Sequence, residues 1–190
     1  MLDYLNTTLA LFITQTQANF HYLMILMIVL YAIFIATKLF PLLLALGIWP
    51  RKIYGLPGII FSPLLHLNFN HLFFNTIPLI ILSNFLMING LNYYLIVTLD
   101  IAMIGGLLTW CFAKPGIHIG SSGVVTGYWS LLICNVYQQG TLMAVMLGVV
   151  CFYYFAGIFL GVFPSQKGVS WEGHLFGLLA GIVTSYLVSA

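Results

Sequence analysis

Long apolar runs, broken at intervals by short polar and glycine-containing stretches, dominate the chain from Phe20 onward. A helix that crosses the hydrocarbon core of a bilayer needs roughly 20 apolar residues. Six runs meet or approach that length: 20–48, interrupted by Lys38 and Pro41, then 72–88, 93–112, 122–137, 141–163 and 173–189. The breaks carry turn chemistry at Asn89-Gly90, Gln138-Gln139-Gly140 and Pro164-Ser165-Gln166-Lys167-Gly168. This pattern predicts an all-α membrane protein whose six transmembrane helices form one bundle. The runs 122–137 and 173–189 are short for a full crossing, which predicts helices that begin below the membrane surface beside a water-filled cavity. Ahead of the helical domain, residues 20–190, lies a short polar segment, residues 1–19. It carries Asp3 and no Lys or Arg, so it does not read as a signal peptide, and the first apolar run is expected to remain as a span.

Composition agrees with the pattern. Of 190 residues, 62% are hydrophobic and 4% charged, against roughly 25% charged in a soluble domain. So few charges could not cover a water-soluble surface without leaving large apolar patches. A lipid bilayer is therefore the expected surrounding. The net charge of +2 is small and scattered, which argues against nucleic acid as a partner. Cys111, Cys134 and Cys151 sit inside apolar runs and show neither metal-ligand spacing nor a disulfide framework. There is no internal repeat of the kind from which many transporters are built. Arg51, Lys52, Lys114 and Lys167 fall in the first, third and fifth loops. The positive-inside rule, taken alone, makes that side cytoplasmic.

Polar residues at membrane depth are costly and are functional candidates by default. One group is His66-Leu-Asn-Phe-Asn-His71-Leu-Phe-Phe-Asn75, at the start of the second run. His71 and Asn75 are four apart and share a helix face, where both can donate hydrogen bonds; they also suit the plainer task of satisfying a helix end. A second group is Gly120-Ser121-Ser122-Gly123, where a serine in a glycine-flanked turn opens the fourth run. Helix-start N–H groups favour a developing anion there, although such a serine is more often an N-cap. A third is Gly173-His174-Leu-Phe-Gly177-Leu-Leu-Ala-Gly181, a ridge of small residues with a histidine at its mouth. Asp100 stands alone in the third run and reads as a carboxyl satisfied inside the bundle.

Together these groups supply a hydroxyl, an imidazole and a pair of hydrogen-bond donors, the set that acyl transfer requires. A metalloprotease is disfavoured, because no His-Glu-x-x-His occurs and the carboxylates are Asp3, Asp100 and Glu172 alone. An aspartyl dyad lacks its second membrane carboxylate.

Over about residues 57–190 the chain resembles the rhomboid intramembrane serine proteases. The resemblance rests on His66-x(4)-His71-x(3)-Asn75, Gly120-x-Ser122-Gly123 and His174-x(2)-Gly177-x(3)-Gly181, in that order along the chain. It implies a six-helix rhomboid-like bundle and hydrolysis of peptide bonds in or beside transmembrane helices of membrane-protein substrates, with no cofactor and no metal. It implies Ser122 as nucleophile and His174 as general base, with His71, Asn75 and the Ser122 N–H forming the oxyanion hole. His66, Gly120, Gly123, Gly177 and Gly181 would be structural supports. It also implies a cytoplasmic N-terminus, against the charge rule, and a multi-pass protein of the bacterial inner (cell) membrane. Ser121 is the neighbouring competitor for the nucleophile. Glu172, two residues from His174, points to nearly the opposite helix face and is rejected as a third member. Thr126 stands where many family members stack an aromatic ring on the histidine, and Pro57-Gly58 stand where many carry Trp-Arg. The family also contains inactive members that bind transmembrane clients, which is the alternative function.

Overall fold

The computed structural model describes residues 2–163 and 170–189. Six long helices account for most of it: α1 (Leu2–Leu39), α3 (Phe69–Met87), α4 (Leu91–Phe112), α5 (Ser122–Gln139), α6 (Leu142–Leu160) and α7 (Trp171–Ser189). A single-turn helix, α2 (Gly58–Phe61), lies in the first loop. Among the described residues the extended pairing is one isolated antiparallel bridge, Ile48 with His118.

The helix boundaries follow local chemistry. Asn68 caps α3, its side-chain oxygen accepting the His71 N–H at 2.8 Å, and Thr141 caps α6 in the same way through the Ala144 N–H at 3.1 Å. Gly140 closes α5 in the left-handed conformation, φ 58°. The breaks at Asn89-Gly90 and Gln138-Gln139-Gly140 thus fall where the sequence predicts them, while Pro164–Gly168 lie outside the described residues. The first run differs from expectation at both ends. Its helix stops at Leu39, because Pro41 lacks an N–H and residues Pro41–Leu46 wind as a 3-10 turn instead. At the other end the helix begins at Leu2, where the Thr7 and Thr8 hydroxyls turn back onto the carbonyls of Asp3 and Tyr4. Buried Asn19 and Asn84 bond at 3.3 Å, and Asn84 also donates to Thr16 at 2.9 Å, so polar side chains tie α1 to α3.

Among the described residues four helices, α1, α3, α4 and α6, are long and apolar enough to cross a membrane. Hydropathy thus supports four of the six expected crossings, and for α5 the reason is position. Helix α5 is the centre of the bundle, with Val124–Leu132 buried without a break. Shielded from lipid by its neighbours, it can carry Ser, Thr and Gly at little cost. Helix α7 packs between α4 and α5 and carries Glu172, His174, Thr184 and Ser185.

The α5–α7 contact is made by backbone. A β-carbon on Gly177 would overlap the Gly123 carbonyl oxygen, and one on Gly181 would overlap that of Gly127. On the opposite face of α7, Gly105 of α4 lies so close that its β-carbon would sit 3.5 Å from the Gly177 α-carbon. The ridge Gly173-Gly177-Gly181 is thus the packing surface the sequence suggested, and Gly127 is a partner the sequence reading did not single out. Across the same seam the Ser130 hydroxyl reaches the Leu178 carbonyl at 2.9 Å.

Overpacking a tight interior typically costs about 1–3 kcal/mol. Gly177→Ala is expected to fall in that range, read as a lowered thermal midpoint in detergent, with Gly157→Ala as a control because its β-carbon would meet nothing within 4 Å.

Candidate active site

Ser122 is the first residue of α5. Its N–H therefore belongs to the helix-start donors that have no partner within the helix. Gly120, just before it, has φ 115°, a conformation that disfavours any side chain. A β-carbon there would also lie 2.7 Å from the His71 imidazole and 3.6 Å from Asn75 Nδ2. The glycine lets the serine turn pass directly beneath the two polar side chains of α3. The Asn68 cap sets His71 in the first turn of α3, and Asn75 follows one turn later on the same face.

A cavity of about 680 Å³ opens between these elements, lined by His71, Asn75, Ser122 and His174 together with Asn68, His118 and Ser170. A smaller cavity of about 60 Å³ lies on the other side of Ser122, walled in part by Gly105, Gly106 and Gly120. Asn75 Nδ2 is buried and makes no hydrogen bond. Leaving such a donor unpaired costs about 1–3 kcal/mol, so an orphan on a residue that lines the cavity marks a place where an acceptor would be welcome.

His174 lies in the first turn of α7, and its Nδ1 is 2.8 Å from the carbonyl oxygen of Gly161 at the end of α6. A carbonyl can only accept, so Nδ1 carries the proton and neutral His174 keeps Nε2 as a free acceptor. Gly161 has no side chain where a β-carbon would come within 2.6 Å of that nitrogen. This contact occupies the orienting role that a carboxylate often fills. Thr126, in the place of an aromatic ring, bonds the Ser122 carbonyl at 2.7 Å. Among the described residues no direct hydrogen bond joins Ser122 to His174; both line the cavity, and such bonds often tighten only around a bound substrate.

The two serines have separate surroundings. Ser121 is 2% exposed, and both its N–H and its hydroxyl lie 3.4 Å from His66 Nε2. It lines neither of the two cavities beside Ser122. His66 is fully buried in the loop ahead of α3, its ring edge-on to His71 at 5.1 Å between centroids. Burial, reinforced by the neighbouring His71, pushes the His66 pKa down to about 4.

Other sequence candidates fall outside the cavity wall. Asp100 and Glu172 do not line it, and one carboxylate oxygen of Glu172 is buried without a partner. Lys38 donates to the Leu67 carbonyl at 2.9 Å and lies over the Phe34 ring, fixing the loop that carries His66. Arg51 adopts φ 60° and donates to the carbonyls of Cys111 and Ala113 at the end of α4, where a cation complements the helix dipole. Sequence reasoning missed His118, Ser170 and Gly161. His118 could have been noticed as an imidazole four residues before Ser122; nothing local marks the other two. Among the described residues no cluster of three His, Cys, Asp or Glu side chains is arranged to hold a metal ion.

Residues 50–190 match the family model of the rhomboid domain. The chain belongs to the rhomboid family. With its long apolar helices, this rhomboid is a multi-pass membrane protein. It is 40% identical over 153 residues to an uncharacterized protein of Mycobacterium tuberculosis (strain H37Rv), a match covering 76% of this chain and 64% of that protein. An uncharacterized protein of Mycobacterium leprae (strain TN) is 36% identical over 154 residues, covering 76% of this chain and 61% of the relative. The rhomboid thus spans somewhat under two thirds of the length of these curated relatives. All of α1 precedes the residues that match the family model.

The lowered pKa of His66 ties stability to acidity. Between an unfolded value of about 6.5 and the folded value of about 4, the unfolded chain binds the extra proton, so stability falls as pH drops through that window. His66→Gln keeps an acceptor toward Ser121 but cannot ionise. Thermal midpoints measured from pH 7 to pH 4 should decline less steeply for this variant than for wild type.

Proposed function

We propose that this rhomboid is an intramembrane serine endopeptidase that cleaves peptide bonds in or next to the transmembrane helices of membrane-protein substrates. The observation that carries this reading is one cavity lined by Ser122, His174, His71 and Asn75, the last with a buried donor that has no partner. Ser122 Oγ attacks the scissile carbonyl carbon while His174 Nε2 takes its proton. The Gly161 carbonyl holds Nδ1–H, so the base keeps one tautomer and the imidazolium is stabilised after transfer. Charge builds on the carbonyl oxygen, where Asn75 Nδ2, the Ser122 N–H and His71 donate hydrogen bonds. His174 then protonates the leaving amine, and water admitted by the cavity hydrolyses the acyl-enzyme by the reverse sequence. This chemistry uses no metal and no cofactor.

The substrate must present an unwound segment, because an intact helix keeps its carbonyls in hydrogen bonds to the residue four positions on. Gly or Pro near the cut lowers that cost, and small residues at the cleavage position fit the glycine-lined wall. We place six crossings in the bilayer, with α5 as the inner one, the cavity opening away from the cytoplasm, and the protein in a bacterial cell membrane. The basic residues at the cavity end are compatible with that orientation because Arg51 caps a helix and Lys114 lies over Trp171.

The test is cleavage of a labelled transmembrane reporter by the purified protein in proteoliposomes. Ser122→Ala and His174→Ala are expected to abolish cleavage, and Ser121→Ala to retain it. Equal cleavage by wild type and Ser122→Ala would overturn the assignment, and a wild type that binds the reporter without cutting it would favour an inactive, client-binding rhomboid. Asn75→Ala is expected to lower kcat by about a hundredfold, in line with loss of one oxyanion donor.

A further inference from the structure

His118 belongs to none of the three motifs, yet it is bonded at every polar atom. Its Nε2 lies 2.9 Å from the Lys114 carbonyl and its Nδ1 lies 2.6 Å from the Ser170 hydroxyl. The carbonyl can only accept, so Nε2 carries the proton of the neutral ring and Nδ1 accepts from Ser170. The same Ser170 oxygen accepts the Gly173 N–H at 3.2 Å, an N-cap contact on the first turn of α7, one residue before His174. The backbone of His118 is held as well, exchanging two hydrogen bonds with Ile48 at 2.9 and 3.0 Å. His118, Ser170 and Ser122 each line both the large and the small cavity.

A chain of directed hydrogen bonds therefore runs from the loop that delivers Ser122, through the His118 ring and the Ser170 hydroxyl, to the turn that delivers His174. The two ends of this chain, the Lys114 carbonyl and the Gly173 N–H, lie on the segments that lead into Ser122 and His174, the groups that the proposed reaction must bring together. No side-chain carboxylate and no direct bond between them does that work among the described residues.

We propose that His118 is a positioning residue for the Ser122 and His174 pair, acting through Ser170 to hold the start of α7 against the serine loop. This rests on the protease reading above. His118 moves no proton in the reaction; it sets the distance over which Ser122 passes its proton to His174. Small misplacements of that kind are costly, with about 1 Å able to cost about a hundredfold in rate.

The full chain in proteoliposomes, cleaving the transmembrane reporter, supplies the test. His118→Ala is expected to lower kcat about ten- to a hundredfold with KM within about twofold of wild type. His118→Asn, whose side-chain oxygen can stand in for Nδ1 as the acceptor from Ser170, is expected to recover most of the loss. Ser170→Ala should match His118→Ala, and the double variant should be no worse than either, because both remove one link. Should His118→Ala fail to fold, Ser170→Ala carries the same expectation, since it leaves the His118 ring and its bond to the Lys114 carbonyl in place. Unchanged kcat in either folded variant would overturn the proposal, as would multiplicative losses in the double variant or no recovery by Asn. A wild type that cleaves nothing is a different result: it removes the protease reading on which the proposal stands.

Discussion

The near-contact of the α5 and α7 backbones is the constraint on which the arrangement depends. Glycines 177 and 181 of α7 lie against the carbonyls of Gly123 and Gly127 of α5 with no room for a methyl group on either α7 glycine. In lipid, helices gain nothing from burying apolar side chains against each other, so close backbone packing supplies the association. The same contact puts the first turn of α5 beside the first turn of α7. Ser122 and His174 occupy those turns, so the packing that stabilises the bundle also determines how far apart they lie.

The polar groups around that pair are arranged with the same economy. Helix ends provide the bonding partners: the Gly161 carbonyl closes α6 and orients His174, the Asn68 cap starts α3, and Ser170 contacts the first turn of α7. The remaining Asn75 donor is left unpaired beside the cavity. Its cost is tolerable because the rest of the bundle is well packed, with side chains such as Leu72, Leu131 and Val97 fully buried. A cavity that brings His71, Asn75, Ser122 and His174 together is a suitable place for a reaction that needs water inside a membrane.

Much of this was legible in the chain. The apolar runs and the turn residues at Asn89-Gly90 and Gly140 fixed most helix boundaries, because a bilayer leaves few alternatives to helix. The spacing of His71 and Asn75, and the glycines flanking Ser122, marked the groups that converge. What the sequence hid depends on contacts between distant segments. No local signal says that the carbonyl of Gly161 lies against His174, or that Ser170 meets His118. Hydropathy missed α5 because it scores a helix as though lipid surrounded it, and Val124–Leu132 are buried among the other helices. Helix α7 keeps an exposed apolar face at Leu179, Val183 and Leu187 but opens with Glu172 and His174. The charge rule pointed the other way from the family resemblance, and Arg51 explains part of that conflict: it serves a helix end on the cavity side.

The central claim is that Ser122, and not its neighbour Ser121, is an activated nucleophile whose base is His174. The most direct measurement is reaction of the membrane-embedded protein with a fluorophosphonate probe, with the modified residue located by mass spectrometry. A single adduct on Ser122 is expected in the wild type, formed much more slowly in His174→Ala. An adduct on Ser121, or labelling of Ser122 at an unchanged rate without His174, would contradict it.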